Sequence, residues 1–252
     1  MAGCFLRFSP YLNYSHDERA GIPMPQNGFS HIQTWVFDLD NTLYSARDGV
    51  FVQVHKRMGQ FISERLGLEA DEAKTLQRDY FKRHGTTLRG LMVEKGINPH
   101  DYLDYVHDID LSVINEAPWL NHALSELPGR KLIYTNATTP YASRILERLT
   151  IDHHFDDIFD IVAADFEPKP GESAFDQFLA NHKVEAGSAC MVEDMAINLK
   201  PASARGMTTV WLREDHDDAH HKHLAKAGEQ SEALPDYVDH VIDDLEVWLK
   251  QL

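Results

Sequence analysis

Short apolar runs recur along this chain, and segments of helix length separate the later ones. The runs cover residues 34–37, 131–135, 160–163, 189–192, 208–212 and 238–242. Strands that alternate with helices are typical of βαβ units, which place helices on both faces of a parallel sheet. The pattern therefore predicts an α/β protein with a doubly wound parallel sheet, and the last run leads into a final helix through residues 245–249.

The interval between the first two runs is too long for a single crossover helix. Apolar residues recur at helical spacing from Phe51 to Leu66 and stop at Gly67, which can end a helix. Similar signals predict a second helix capped by Asp71 and ending before Gly85, a third over 86–95 before Gly96, and a fourth over 101–107. We therefore predict an inserted all-helical cap over residues 46–117, a core of residues 31–45 and 118–252, and a mobile N-terminal extension of residues 1–30.

Two carboxylates follow the first apolar run in the segment that spells Val36-Phe37-Asp38-Leu39-Asp40-Asn41-Thr42-Leu43-Tyr44. Ligands of open parallel sheets bind beyond the carboxyl ends of the strands. A solvent-exposed turn with two chance acids is the ordinary alternative for such a sequence. Because Asp38 and Asp40 stand two residues apart at such a strand end, the segment favours a catalytic site instead.

With this segment, the chain resembles the haloacid dehalogenase superfamily, whose phosphatases begin with an Asp-x-Asp-x-Thr motif. Three further motifs of that superfamily follow in order. They are Ile133-Tyr134-Thr135-Asn136, then Pro168-Lys169-Pro170, then Val192-Glu193-Asp194 with Asn198. The resemblance covers roughly residues 34–212 and implies a Rossmann-like core with a cap. Taken singly, the Thr-Asn pair fits an ordinary turn and the lysine fits a surface residue, so the ordered set carries the argument.

The resemblance implies a role for each matching residue, and phosphoryl transfer needs those roles. Asp38 is the expected nucleophile and forms an aspartyl-phosphate. Asp40 is the expected general acid and base. Lys169 is expected to offset negative charge, while Thr135 and the backbone of Asn136 hold the transferring oxygens.

A magnesium ion is the expected cofactor, because Mg²⁺ takes oxygen ligands from one or two carboxylates, water and the substrate phosphate. The resemblance implies that the carboxylates of Asp38 and Asp194 bind it together with the backbone carbonyl of Asp40. Glu193 is expected to orient water molecules on the metal.

The second aspartate favours a phosphatase over a dehalogenase, since a dehalogenase has no leaving alkoxide to protonate. Segments 80–91, 106–108 and 130–137 look like the pyrimidine 5′-nucleotidase branch, which hydrolyses UMP and CMP. The chain departs from that branch at Glu193-Asp194-Met195, where Asp-Asp-Ser is expected. We expect Arg89 and Tyr44 to contact the substrate beyond its phosphate. A phosphatase for phosphoglycolate or a sugar phosphate, a phosphomutase and a non-catalytic binding module remain open.

The overall charge limits the partners that this chain can attract. A formal charge of −16 repels polyanions, so nucleic acid and anionic membranes are not expected partners. A small phosphorylated metabolite, such as a nucleoside monophosphate, remains suitable because a bound cation and a lysine can reverse the local potential. The sequence leaves the oligomeric state open.

Cysteine and histidine usage adds two expectations. Two cysteines, Cys4 and Cys190, without metal-type spacing fit a reducing cytoplasmic setting, and Cys190 in an apolar run is expected to be buried and inert. No signal-peptide or membrane-spanning pattern is evident. The histidines at 216–223 fit a solvated tract better than a metal site, although they leave that question open.

Overall fold

A computed structural model describes residues 28–213 and 234–252. Within these residues, six parallel strands form one sheet in the order β3-β2-β1-β4-β5-β6. The strands are β1 (Thr34–Phe37), β2 (Arg130–Tyr134), β3 (Asp157–Phe159), β4 (Ala189–Glu193), β5 (Thr208–Leu212) and β6 (His240–Ile242). The predicted doubly wound parallel α/β fold is therefore confirmed. The predicted features at residues 1–27, including Cys4, and at the histidines of 216–223 lie outside the described residues.

The helices fall into an inserted group and a group that covers the sheet. The inserted group comprises α1 (Val50–Leu66), α2 (Ala70–His84), α3 (Thr87–Lys95) and α4 (Pro99–His107). The covering group comprises α5 (Pro118–Glu126), α6 (Thr139–Leu149), α7 (Glu172–His182), α8 (Lys200–Ala204) and α9 (Leu245–Leu249). Among the described residues, no helix is both long enough and apolar enough to cross a bilayer.

Both faces of the sheet are buried, which explains the nearly continuous apolar character of its strands. In β1, Trp35 and Phe37 enter the hydrophobic cluster on one face, and Val36 between them enters the cluster on the other. Successive side chains of a strand point to opposite faces. The central strand is thereby fixed from both sides, and the residues that follow it start from a rigid position.

The inserted helices begin and end close to the predicted residues. Gly67 and Gly96 adopt left-handed backbone angles after α1 and α3, and Thr86 caps α3 by accepting a hydrogen bond from the Arg89 backbone. The prediction that Asp71 caps α2 is wrong. Glu69 is the N-cap, two residues earlier than predicted, and its reciprocal hydrogen bonds with Glu72 form a capping box.

The third strand is also displaced from its predicted position at 160–163. The strand ends at Phe159 because Asp160 redirects the chain. One oxygen of Asp160 accepts hydrogen bonds from the backbone and hydroxyl of Thr139, and the other accepts one from the Ala163 backbone. A carboxylate that bonds nearby backbone groups favours a turn over a strand.

One hydrophobic cluster extends from the sheet into the inserted helices. It includes Trp35 and Phe37 of the sheet together with Phe61 and Tyr80 of the insertion. At the other end of the core, Phe29 is buried against Trp35 and Trp248. Among the described residues, packing against the core begins at Phe29, while the limits of the core and cap stay predictions.

Candidate active site

The predicted motifs meet where neighbouring strands end. Asp38 follows β1, Thr135 follows β2, and Glu193 is the last residue of β4. From β1 the chain proceeds through β2 to β3 at one edge of the sheet, and from β4 it proceeds through β5 to β6 at the other edge. The direction of strand addition therefore reverses between β1 and β4. Ligands of open α/β sheets bind at such a switch point, so the candidate site lies where this fold predicts one.

Lys169 is the centre of the site. Its Nζ donates hydrogen bonds to Asp38 Oδ1 at 2.5 Å, to Glu193 Oε2 at 2.6 Å and to the carbonyl of Tyr134 at 3.0 Å. Its side chain is only 3% exposed. A lysine this deeply buried is retained in proteins when it is paired, and this one joins the ends of three strands.

The acids around Lys169 carry more negative charge than one lysine can neutralise. Burial and, after it, the negative charge of Glu193 raise the pKa of Asp38 to about 7, although Lys169 opposes the change. Burial also raises the pKa of Glu193 and that of Asp194 to about 7. Lys169 shows the reverse response: although burial disfavours its charge, Asp38 and Glu193 raise its pKa well above the ordinary value.

The same acids form a group that can hold a divalent cation. Asp38, Glu193 and Asp194 each offer a carboxylate oxygen, and these oxygens lie within 4.8 Å of one another. Hard oxygen ligands and excess negative charge are what Mg²⁺ requires. The residues therefore fit the expected metal. Within this group, Glu193 accepts hydrogen bonds from Lys169 and from the Met195 backbone, and Asp38 accepts one from Lys169.

Mg²⁺ is expected to raise the melting temperature at pH 8, with an effect that declines as the pH falls toward 5. Metal ligation requires charged carboxylates, and the pKa values of Asp38 and Asp194 near 7 place their protonation in this range. Because these pKa values are raised above 3.8, the metal-free protein should itself gain stability from this site as the pH falls. Thermal unfolding with Mg²⁺ or EDTA across pH 5–8 measures both trends.

The difference between the Mg²⁺ and EDTA curves isolates the site from other titrating groups. Burial lowers the pKa of His107 to about 4, so this residue weakens the fold as the pH falls below 6.5 in either buffer. Asp194→Asn should lose the Mg²⁺ effect, whereas Asp243→Asn, at an exposed position, should keep it. A Mg²⁺ effect that survives in Asp194→Asn would contradict this metal site.

Asp40 is held by two tyrosines. The hydroxyl of Tyr44 and that of Tyr141 both donate to Asp40 Oδ1, the latter at 3.0 Å. Burial raises the pKa of Asp40, while the two hydroxyls lower it. Tyr44, which the sequence predicts as a substrate contact, thus has its hydroxyl on Asp40; a stacking role for its ring stays a prediction.

Thr135 and Asn136 lie beside Lys169 at the end of β2. Thr135 is buried, and its Oγ1 accepts a hydrogen bond from the Ala137 backbone. Asn136 Oδ1 accepts one from the Lys169 backbone at 2.8 Å and so connects the second motif to the third. The hydroxyl hydrogen of Thr135 is still able to donate to an oxyanion.

Arg89 lies on a cleft rather than at the carboxylates. A cavity of about 520 Å³ separates the turn between α2 and α3 from residues 164–177 of the core. Arg89 and His84 line its inserted side, and Lys169 and Glu167 line the core side. Within the described part of the chain, no carboxylate forms an ion pair with Arg89.

Sequence reasoning missed three contacts of this site. Thr42 donates to Asp38 Oδ2 at 3.2 Å, Glu193 bonds Lys169 directly, and Tyr141 reaches Asp40 from α6. The position of Thr42 in its motif was a usable signal. Tyr141 gave none, because only the fold brings the first turn of α6 to the end of β1.

The chain belongs to the haloacid dehalogenase-like hydrolases, whose family matches residues 35–212. The parallel sheet and the acidic residues at its strand ends, which occur along the chain in the order of the family's motifs, therefore define a hydrolase of that family. A curated relative is Phosphate metabolism protein 8 of Saccharomyces cerevisiae, which is 28% identical over 207 residues. The match covers 73% of this chain and 63% of the yeast protein, so the chain spans less than two thirds of that relative.

Solved structures agree on the fold. An HAD phosphatase from Thermococcus onnurineus superposes with a TM-score of 0.56 at 19% sequence identity. The HAD-hydrolase YfnB from Bacillus subtilis, solved with bound magnesium, superposes with a TM-score of 0.54 at 17% sequence identity. L-2-haloacid dehalogenase from Xanthobacter autotrophicus superposes with 0.52 at 13%. Each match covers 87% of this chain and 97% of the solved one.

Proposed function

We propose that this protein is a Mg²⁺-dependent phosphatase that hydrolyses a small phosphate monoester through an aspartyl-phosphate on Asp38. The observation that carries the proposal is the buried contact of Lys169 with Asp38 and Glu193 at the strand ends, with Asp40 and Asp194 close by. A site for phosphoryl transfer needs a nucleophile, charge neutralisation and a proton donor. This group contains each of them.

In the first step, an oxygen of Asp38 attacks phosphorus and the bond from phosphorus to the ester oxygen breaks. Asp40 gives its proton to the departing oxygen, so the product leaves as an alcohol. Lys169 offsets the charge of the nucleophile and the phosphoryl oxygens, and Thr135 donates to one of those oxygens. The product of this step is an aspartyl-phosphate and a charged Asp40.

In the second step, water attacks phosphorus and the bond from phosphorus to Asp38 breaks. Asp40 takes a proton from the water and returns to its starting state. Inorganic phosphate leaves, and Asp38 is restored as a carboxylate. The same carboxyl thus acts first as acid and then as base, which suits a partly exposed group with a raised pKa.

The Mg²⁺ ion, when bound, would neutralise phosphoryl charge and fix the orientation of the phosphate. Asp38, Asp194 and the backbone carbonyl of Asp40 are the proposed ligands, with Glu193 beside them. The raised pKa values of these acids support a cation at this position. The magnesium bound by the YfnB relative is consistent with this assignment.

For the substrate, we propose a pyrimidine nucleoside 5′-monophosphate such as UMP or CMP. The resemblance of segments 80–91, 106–108 and 130–137 to pyrimidine nucleotidases supports this class. Arg89 supports it too, because it lines the same cleft as Lys169, on the inserted side, and a guanidinium can donate to the carbonyl oxygens of a pyrimidine. We further propose that the insertion of residues 46–117 acts as a cap, that the core comprises 31–45 and 118–252, and that the enzyme works in the cytoplasm.

Phosphate release from a panel of UMP, CMP, AMP, phosphoglycolate and a sugar phosphate tests the proposal. We expect turnover with Mg²⁺, none with EDTA, and kcat/KM at least about 10-fold higher for UMP and CMP than for AMP, as pocket contacts of 1–3 kcal/mol allow. Preference for another ester would keep the mechanism and discard this substrate class. Transfer of the phosphoryl group to a sugar would favour a mutase, and inactivity on every ester would favour a binding module.

The contribution of Arg89 is measured in the same panel. Arg89→Ala should lose most of the preference for UMP over AMP, because the variant removes the donor that faces the cleft. Arg78→Ala is the matched control, since Arg78 is exposed on α2 and does not line the cavity. An unchanged preference in Arg89→Ala would remove Arg89 from the proposed contacts.

A further inference from the structure

Two tyrosine hydroxyls bind the carboxyl of Asp40 through the same oxygen. Tyr44 comes from the loop after β1, Tyr141 comes from the first turn of α6, and both hydroxyls donate to Oδ1. Both tyrosines are buried, with at most 5% of either exposed. Among the described residues, no hydrogen bond of these side chains reaches the other oxygen, Oδ2.

Two donors on one oxygen set the orientation of the whole carboxyl. The terminal torsion of an aspartate is broad and roughly two-fold, so the side chain alone does not choose which oxygen faces a substrate. Hydroxyl donors from two separate elements remove that freedom. Oδ1 is held against the protein, and Oδ2 is the oxygen turned away from both tyrosines.

Tyr141 is itself fixed by the end of the insertion. The ring of His107, the last residue of α4, stacks on the Tyr141 ring with centroids 4.2 Å apart and planes 20° apart. His107 Nδ1 lies 3.2 Å from Thr138 Oγ1, and the His107 carbonyl accepts a hydrogen bond from Arg144 at 3.2 Å. A chain of contacts therefore runs from the insertion through Tyr141 to Asp40.

We propose that Tyr44 and Tyr141 are positioning residues that aim Asp40 Oδ2 at the leaving oxygen of the ester, and that His107 holds Tyr141 in place. This inference rests on the proposed phosphatase function. A misaimed Asp40 matters most when the leaving group needs a proton. The proposal therefore predicts a dependence on the leaving group, which a general loss of folding does not produce.

The experiment compares two esters in Tyr44→Phe, Tyr141→Phe and the double variant. UMP releases an alkoxide that needs protonation, whereas p-nitrophenyl phosphate releases a phenolate that does not. The measured quantity is kcat/KM, because it reports steps up to departure of the leaving group. We expect the ratio of kcat/KM for UMP to that for p-nitrophenyl phosphate to fall at least about 10-fold in each single variant and further in the double variant, within the 10²–10⁴ that acid catalysis supplies.

Two controls separate positioning from structure. Tyr102→Phe removes a buried hydroxyl that has no hydrogen-bond partner in the described structure, and it should leave the ratio unchanged. His107→Ala removes the stacked ring and should lower the ratio, whereas His107→Phe keeps an aromatic ring and should restore most of it. Melting temperatures identify any variant that fails to fold.

The outcomes distinguish this inference from the proposed function. A wild-type enzyme without Asp38-dependent turnover of p-nitrophenyl phosphate or of any ester in the panel would overturn both. If the wild type prefers another panel ester with an alkoxide leaving group, that ester takes the place of UMP in the ratio. An active wild type whose tyrosine variants lose the two esters equally, or lose neither, would overturn the positioning of Asp40 alone. A selective loss for UMP in folded variants would establish it.

Discussion

Asp38→Asn is expected to reduce kcat on every phosphate monoester by a factor on the order of 10⁴ or more, as removal of a nucleophile does in other enzymes. An amide oxygen is a poor nucleophile, and the aspartyl-phosphate can no longer form. The fold should survive. Asp38 is buried with Glu193 nearby, and burial raises its pKa to about 7, so its charge opposes folding at neutral pH.

The expected signature of Asp38→Asn is therefore lost turnover with an unchanged or higher melting temperature. Phosphate release and thermal unfolding measure the two parts separately. Mass spectrometry of acid-quenched enzyme should find one added phosphoryl group on the wild type during turnover and none on the variant. Asp243→Asn, whose side chain is 78% exposed, is the matched control and should behave as the wild type. Retained turnover in Asp38→Asn would assign the nucleophile to another residue.

The strands of this protein were predictable from the sequence where both faces of a strand are buried, because such a strand appears as a short, continuous apolar run. Residues 34–37 and 208–212 are apolar runs without a competing signal, and they form β1 and β5 with the predicted limits. The prediction of a strand at 160–163 was wrong because Asp160 accepts hydrogen bonds from the nearby Ala163 backbone and from Thr139, which is distant in sequence. A local sequence pattern does not reveal the second, tertiary bond.

The sequence predicted those residues of the candidate site that directly follow a strand. Parallel strands bring their carboxyl ends to one edge of the sheet, so Asp38, Thr135 and Asp194 could be assigned to one place before the fold was known. Tyr141 could not be assigned in this way. Its hydroxyl meets Asp40 because the fold brings the first turn of α6 to the loop that follows β1, and this contact of 3.0 Å depends on packing that no short motif records.

Lys169→Met is expected to destabilise the protein by roughly 3–5 kcal/mol at neutral pH, the usual effect of removing one partner from a buried ion pair. Methionine fills a similar volume but leaves Asp38 and Glu193, both contacted by Lys169 Nζ, without their shared counter-charge. Turnover should fall about 10²–10³-fold, as it does when one electrostatic contact to the transition state is removed. Urea unfolding and phosphate release measure these effects.

The double variant Lys169→Met with Glu193→Gln separates stability from catalysis. Removing one buried carboxylate should recover much of the lost free energy of unfolding, while turnover stays low because the phosphoryl charge still lacks the lysine. Lys131→Met is the matched control. Lys131 is also buried, but its Nζ donates to the carbonyls of Leu127 and Gly129 at the opposite end of β2, and burial lowers its pKa. Its loss should affect stability alone. Recovered turnover in the double variant would mean that Lys169 serves the fold and not the reaction.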